Sequence, residues 1–342
     1  MKKFFTLLLA VISTMTAFAQ TEPAIELQAE VDGNTRTLTI GLATEGTVQI
    51  DWGNGEKVTS EVIPAFDGWN QVNVSGTVSG EGKVKIYGDN IVCFECSSTV
   101  KGAKVLSLDV TKATALKDLT ANTNKLTAID LTKNTELEKL YININQLTSI
   151  DISKCTKLTT LNIEENLLTA IDITKNQALQ TLRISQNKFA GELDLSTNPT
   201  IKFVYALGME LNSVKIGNNT ASAPYFSFNN NKLTSIDASG IQDAGNATLW
   251  LMGNQLTEIK LPSAKMKNLN ISKNNFTLAT LPAPSVAKTF NYAPQNDYVI
   301  AESYKVGDVL DLSSQTNATL NTQFAVYKSD KTALTEGTDY TV

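Results

Sequence analysis

Leu116-Lys117-Asp118-Leu119-Thr120-Ala121-Asn122-Thr123-Asn124 returns 21 residues later as Leu137-Glu138-Lys139-Leu140-Tyr141-Ile142-Asn143-Ile144-Asn145, and twice more at that interval, from Leu158 to Asn166 and from Leu179 to Asn187. Within each copy the last two apolar residues, such as Leu119 and Ala121, are two apart. On an extended strand they share one face, and the residues beside them share the other. A unit this short cannot bury its own apolar face, so each copy needs a neighbour above and below. The period therefore predicts one continuous stack that offers a surface rather than a pocket.

The pattern L-x-x-L-x-L-x-x-N resembles the leucine-rich-repeat family, and the resemblance implies a leucine-rich-repeat β-solenoid of about ten coils of ~21 residues with small all-β flanking modules. Weaker copies extend it: Ile91/Phe94/Cys96 upstream, and Ile201/Val204/Ala206, Ala223/Phe226/Phe228, Asn246/Leu249/Leu251, Met266/Leu269/Ile271 and Ala287/Phe290/Tyr292 downstream. Ten strands at about 4.8 Å make a ladder roughly 43 Å long, a length that suits a protein or polymer ligand better than a metabolite. The ninth-position Asn, repeated at Asn231, Asn254 and Asn274, reads as a structural ladder whose amide serves backbone groups turned inward. Met209 and Gln295 stand in its place in two copies.

The other half of each repeat runs Leu-Thr-x-Ile-Asp-Ile/Leu-Ser/Thr-Lys, from Leu126 to Asn134, Leu147 to Cys155 and Leu168 to Asn176. Alternation turns Ile129, Ile150 and Ile171 inward and Asp130, Asp151 and Asp172 outward; Asp194 and Asp237 continue the column, and Lys215 and Lys260 interrupt it. Calcium-binding repeats converge several oxygens on one ion from glycine-rich loops, a pattern missing here. Each Asp is instead expected to close a turn on its own backbone, with Lys112, Lys133, Lys154 and Lys175 offsetting the charge.

Lys2 and Lys3, the apolar run Phe4 to Ile12 and Ala17-Phe18-Ala19 form a secretory signal peptide, residues 1–19, cleaved after Ala19. Its removal takes the formal charge from −5 to −7. Such a balance argues against nucleic acid as a partner. No second apolar run is long enough for a transmembrane helix, and no Cys follows the cleavage site to carry a lipid anchor. The expected location is secreted or cell-surface, and the expected state a monomer. Cys96 and Cys155 occupy repeat positions held elsewhere by Ile142 and by Asn134 and Asn176, so they read as buried thiols. Cys93 and Cys96 face opposite sides of one strand and are poorly placed to pair. The sequence has no His, which removes the usual neutral-pH proton shuttles; no metal, cofactor or catalytic residue is expected. A carboxylate pair such as Asp118 and Glu164 is the one hydrolytic arrangement left, at about 10 Å by strand spacing, with no pocket evident.

The stack is assigned to 91–292, preceded by an N-terminal β capping module at 20–90. Strands are expected there at Thr37 to Ile40, Thr47 to Trp52, Val72 to Val74 and Lys83 to Tyr87, with Trp52 and Trp69 in a small core. Val48-Gln49-Ile50-Asp51-Trp52-Gly53-Asn54-Gly55 resembles the strand and turn of polycystic-kidney-disease-like β-domains. After Tyr292 a partial immunoglobulin-like module at 295–342 is expected, with strands at Tyr298 to Ile300, Val309 to Leu312, Phe324 to Tyr327 and Tyr340 to Val342.

The whole resembles secreted leucine-rich-repeat surface proteins of bacteria of the Bacteroidetes type, and internalins more loosely. That resemblance implies adhesion to, or recognition of, host protein, matrix or glycan on a concave strand face. The outward positions there are polar through the first four clear copies, with Tyr141 and Arg183 among them. They then become aromatic and apolar at Phe203, Tyr205, Leu207, Tyr225, Trp250 and Met252, with Asn229 beside them. A patch of this kind is either used or covered. Ligand binding, a sugar on Tyr205, Tyr225 and Trp250 or a protein on Tyr205, Leu207 and Met252, is set against covering by a local irregularity at Ala206-Leu207-Gly208 or by the C-terminal module. In the covered case the protein would be a structural spacer or scaffold.

Overall fold

The computed structural model describes residues 22–62, 70–277 and 279–296. The leader, Trp69 and the strands expected after Tyr298 lie outside the described residues. Eight strands precede the regular copies: β1 (Ile25–Ala29), β2 (Thr35–Leu42), β3 (Gly46–Asp51), β4 (Lys57–Val62), β5 (Asn70–Thr77), β6 (Lys83–Tyr87), β7 (Ile91–Glu95) and β8 (Val105–Asp109). The copies add β9 (Asp118–Thr120), β10 (Lys139–Tyr141), β11 (Thr160–Asn162), β12 (Thr181–Arg183), β13 (Ala190–Asp194), β14 (Phe203–Tyr205), β15 (Glu210–Lys215), β16 (Tyr225–Ser227), β17 (Thr248–Trp250), β18 (Met266–Asn270) and β19 (Ala287–Asn291).

The chain is a leucine-rich-repeat β-solenoid. Its strands β7, β9–β12, β14 and β16–β19 pair in parallel in the register the period dictates, Phe94 beside Leu119, Leu119 beside Leu140 and so on to Leu269 beside Phe290. Inward residues of successive coils stack into one apolar core running from Ala24 to Ala287. That continuity is how each coil buries what it could not bury alone.

The N-terminal strands close the first coil on two sides. β2 lies antiparallel to β7, with Ile40 opposite Phe94, and β5 lies beyond it, so the parallel ladder ends in an antiparallel hairpin. On the other side β8 pairs with β1 in a second sheet ordered β4-β3-β6-β1-β8. The strands β7 and β8 of the end coil are thus paired rather than left as open edges, although Leu106 on β8 stays exposed. Trp52 is buried in this core, and it fits because Gly76 opposite has no side chain: a Cβ there would lie 2.2 Å from the indole. β1 and β4 were not singled out in the sequence; β4 faces solvent along most of its length, so its residues lack the apolar alternation that marks a strand.

The ladder asparagines behave as a chain of clamps between coils. Asn145 donates from Nδ2 to the carbonyls of Ala121 (3.0 Å) and Ile142 (3.1 Å), and its Oδ1 accepts the Leu126 N–H (3.0 Å). Asn124, Asn166, Asn187, Asn231, Asn254 and Asn274 repeat this role. Gln295 also takes it, donating to the Ile271 carbonyl at 3.1 Å and accepting from Phe276 N–H. Met209 has no amide to offer and is simply buried. The residue just before the clamp in the four regular copies adopts a left-handed backbone, at φ 59° for Thr123, 55° for Ile144, 53° for Glu165 and 57° for Gln186.

The aspartate column closes turns, as its spacing implied. Asp130 Oδ1 accepts the Thr132 N–H (2.9 Å) and hydroxyl (2.7 Å), and Asp151, Asp172, Asp194 and Asp237 do the same for the residue two further on. Lys215 and Lys260 fall within reach of Asp194 (3.1 Å) and Asp237 (3.5 Å), so they join the column as ion-pair partners.

Candidate functional site

Parallel register sets the outward side chains of the main sheet in rows. One row runs Thr181, Phe203, Tyr225, Thr248, Asn268; the next runs Arg183, Tyr205, Ser227, Trp250, Asn270. Arg183 and Tyr205 are side by side in one row, while Tyr205, Tyr225 and Trp250 alternate between rows, so that their rings meet on the diagonal. The Arg183 guanidinium lies 4.5 Å from the Tyr205 ring centre. Tyr205 and Tyr225 follow at 5.4 Å with planes 32° apart, and Tyr225 and Trp250 at 6.4 Å and 34°. These are offset stacking geometries, each contributing about 0.5–1.5 kcal/mol beyond simple burial.

The stack roofs over the row beneath it. Ser227 points outward from β16, yet only 2% of its surface is exposed. Tyr205 and Trp250 flank it in register, and Tyr225 stands two residues before it on the same strand. Phe203, Tyr205, Leu207, Tyr225 and Met252 are half-buried, and Trp250 is the most open of the group at 36%. Burial, and then the neighbouring Tyr205, pushes the Tyr225 phenol above its ordinary pKa. Lys202 lies 5.3 Å over the Phe203 ring.

Phe203, Tyr205, Leu207, Tyr225, Trp250 and Met252 stand on adjoining coils, with Arg183 at their edge. Asn229 sits among them but is buried, its Oδ1 accepting the Met252 N–H at 2.8 Å, so its place is in the scaffold. Tyr141 is on β10, with β11 and β12 between it and the patch. Glu164, a candidate acid from the sequence, holds Arg183 Nε at 2.8 Å through its Oε2 and so anchors the end of the stack. The spacing of 19, two short of the repeat, puts the two residues on adjacent coils in neighbouring rows.

The segment Ala206-Leu207-Gly208 does not fold the chain across this face. Gln186 N–H donates to the Leu207 carbonyl (2.9 Å) and Gly208 N–H to the Asn229 carbonyl (3.1 Å), so the ladder runs through. The irregularity goes instead to β13 and β15, which pair with each other in parallel on the aspartate column. A covering role for residues beyond 296 lies outside the described residues.

Neither acid proposed for hydrolysis stands alone. Asp118 lies 3.8 Å from Lys139 Nζ, with burial raising its pKa, and Glu164 is occupied by Arg183. Among the described residues, no three His, Cys, Asp or Glu side chains group to hold a metal ion, and no helix is long and apolar enough to cross a membrane.

No protein-family model matches the chain, and no curated protein matches its sequence. Solved structures match in part. The functional domain of InlJ from Listeria monocytogenes is 20% identical, with a TM-score of 0.39, over 66% of this chain and 56% of that one. YopM from Yersinia enterocolitica is 17% identical, with a TM-score of 0.44, over 60% and 47%. The internalin InlF from Listeria monocytogenes is 19% identical, with a TM-score of 0.39, over 60% and 67%. This chain spans about half the length of the first two. At such identities and TM-scores the likeness extends to repeat architecture alone.

Proposed function

We propose that this is an exported, non-enzymatic binding protein that recognises a host protein, matrix component or glycan on the outward face of its parallel sheet. The observation that carries the reading is the stack Arg183–Tyr205–Tyr225–Trp250, a rigid aromatic surface set among Thr, Asn and Ser. Tyr, Trp and Arg are the residues most enriched at binding hot spots, and rings already held by one another lose little freedom when a partner arrives. The leader at 1–19 supports export to the cell surface or beyond. The ion pair of Glu164 with Arg183 supports the non-enzymatic part, because a carboxylate bound to a cation is a poor general acid.

The test is binding of the purified full-length protein to an array of glycans and extracellular-matrix proteins, beside a Tyr205→Ala/Trp250→Ala variant. Hits lost in a variant with native thermal unfolding support the reading. Hits that persist unchanged move the function to another part of the chain, and an array without hits favours a structural spacer.

A further inference from the structure

The stack has one closed end and one open end. Arg183 covers Tyr205 and is itself held by Glu164; Tyr225 has a ring on either side, at 5.4 Å and 6.4 Å. Among the described residues Trp250, the last ring, has a stacking neighbour on one side alone, and it is the residue of the stack with the greatest exposure. An aromatic face already occupied by another ring or a guanidinium cannot take a ligand. The contact surface is therefore the free face of Trp250 and what lies beyond it, not the three-ring ladder as a whole.

Beyond it lie β18 and β19. In register with Thr248 and Trp250 stand Asn268 and Asn270, and then Thr289 and Asn291. These outward positions carry no charge. Asn268 Nδ2 donates to Thr248 Oγ1 at 2.9 Å, which leaves its Oδ1 as an acceptor. Asn270 is buried, its Oδ1 accepting the N–H (3.0 Å) and hydroxyl (2.8 Å) of Ser272, so like Asn229 it belongs to the scaffold. An indole face thus adjoins the half-buried Asn268 amide, which keeps its Oδ1 as an acceptor and its second Nδ2–H as a donor, both neutral.

We infer that this corner, Trp250 with Asn268, is the ligand subsite and that it takes the ring of a neutral saccharide; the inference rests on the binding reading above. A pyranose has an apolar C–H face, which stacks on an indole, and a rim of hydroxyls that each donate and accept. Amides answer both halves of that rim at once. An anionic group would call for a guanidinium or ammonium in the row, and Arg183, the one cation of the stack, is at its far end and engaged.

The experiment is calorimetric titration of the full-length protein with neutral gluco-, galacto- and manno-hexasaccharides, a sulfated hexasaccharide and a soluble collagen, repeated on Trp250→Ala, Asn268→Ala and Arg183→Ala. All three replaced side chains are on the surface, and unchanged thermal unfolding verifies each variant. The expected result is that a neutral hexasaccharide binds, that affinity falls about tenfold or more in Trp250→Ala and severalfold in Asn268→Ala, and that Arg183→Ala changes it less than about threefold. Neutral-saccharide binding that survives Trp250→Ala overturns the inference, as does a preference for the sulfated probe that Arg183→Ala abolishes. Collagen binding that depends on Trp250, with no saccharide bound, overturns the saccharide while leaving the binding face standing. Binding indifferent to all three variants overturns both.

Discussion

Arg36 Nη1 donates to the Cys96 carbonyl at 3.4 Å, and in doing so stands where the first coil lacks its clamp. In later coils the ninth-position Asn donates to the carbonyl three residues before it, as Asn145 does to Ile142. The first coil carries Thr99 at that place, too short for the task. A guanidinium from β2 reaches in from the capping strands instead, touching the Ala103 carbonyl as well. The substitution is imperfect: Arg36 is buried, its Nε has no partner, and among the described residues no carboxylate pairs with it. Its side chain also floors a cleft of about 420 Å³ lined by Asp32, Asn34, Ser98 and Lys101.

An unpaired buried charge is expensive, while the Cys96 carbonyl keeps a second donor in Asn124 Nδ2 at 3.1 Å and the Ala103 carbonyl keeps the Ser98 hydroxyl at 2.7 Å. Arg36→Met, which retains the volume and removes the charge, is expected to leave stability unchanged or raise it by about 1 kcal/mol. Arg36→Ala, which leaves a hole, is expected to destabilise by about 2 kcal/mol. Urea unfolding separates the two; equal losses in both variants would show that the charge itself holds the cap.

The thiols give a second test. Burial pushes Cys96 up to about 12 and Cys155 up to about 11, so neither presents a thiolate near neutrality. Cys155 also interrupts a second row of amides on the back of the coil, in which Asn134 donates to Val110 and Ala113, and Asn176 to Ile152 and Cys155; its sulfur reaches the Leu131 carbonyl at only 3.9 Å. At pH 8 iodoacetamide is expected to spare Cys96 and Cys155 in the folded protein and to label them in urea. Cys155→Asn restores the row, with an expected gain of about 1 kcal/mol. Labelling of both cysteines in the native state by mass spectrometry would show that the core opens.

Much of this was legible in the sequence, and the reasons divide cleanly. Leu119, Leu140, Leu161 and Leu182 share a period and a face, so strand position, register and the inward clamps follow from spacing alone. Diagonal contacts do not, because they depend on side-chain direction between rows: the Tyr205–Tyr225–Trp250 rings and the burial of Ser227 beside them are properties of three coils at once. Nor does the left-handed turn show itself before Asn124, Asn145, Asn166 and Asn187, since Thr123, Ile144, Glu165 and Gln186 are not residues that favour that backbone, as Asn230 and Gly253 are in later coils. Neighbouring coils impose it. Arg36 is hidden for another reason: it lies 60 residues from its partner, in a strand that has no repeat to compare it with.

Acid should loosen the aspartate column. Asp130 and Asp172 are held below the ordinary carboxylate range by the hydroxyls and then the N–H groups of Thr132 and Thr174, Asp151 by the Ser153 N–H and then its hydroxyl, and Asp237 by the Ser239 hydroxyl and then its N–H. Carboxylates depressed on folding lend stability that is complete above the unfolded value, 3.8, and lost as pH falls through the lower folded values. Thermal unfolding temperature is therefore expected to fall below about pH 4. Asp151→Asn with Asp172→Asn keeps the accepting oxygen and should flatten that fall. A wild-type acid profile in the double variant would place the acid sensitivity elsewhere.

Glu164 links the polar half of the open face to the aromatic half. Its carboxylate is mostly covered, and by holding Arg183 Nε it sets the guanidinium over Tyr205. Glu164→Gln keeps the shape and removes the charge, so Arg183 is expected to spend less time on the ring while global stability falls by about 1 kcal/mol or less. In NMR spectra the Arg183 side-chain protons, shifted upfield by the Tyr205 ring, should move toward their ordinary positions in Glu164→Gln and reach them in Tyr205→Ala. A double-mutant cycle between Glu164→Gln and Tyr205→Ala should then show coupling of about 0.5–1 kcal/mol although the two residues act only through Arg183. If the Arg183 protons stay upfield in Glu164→Gln, the ring alone positions the guanidinium and the closed end of the stack does not depend on the ion pair.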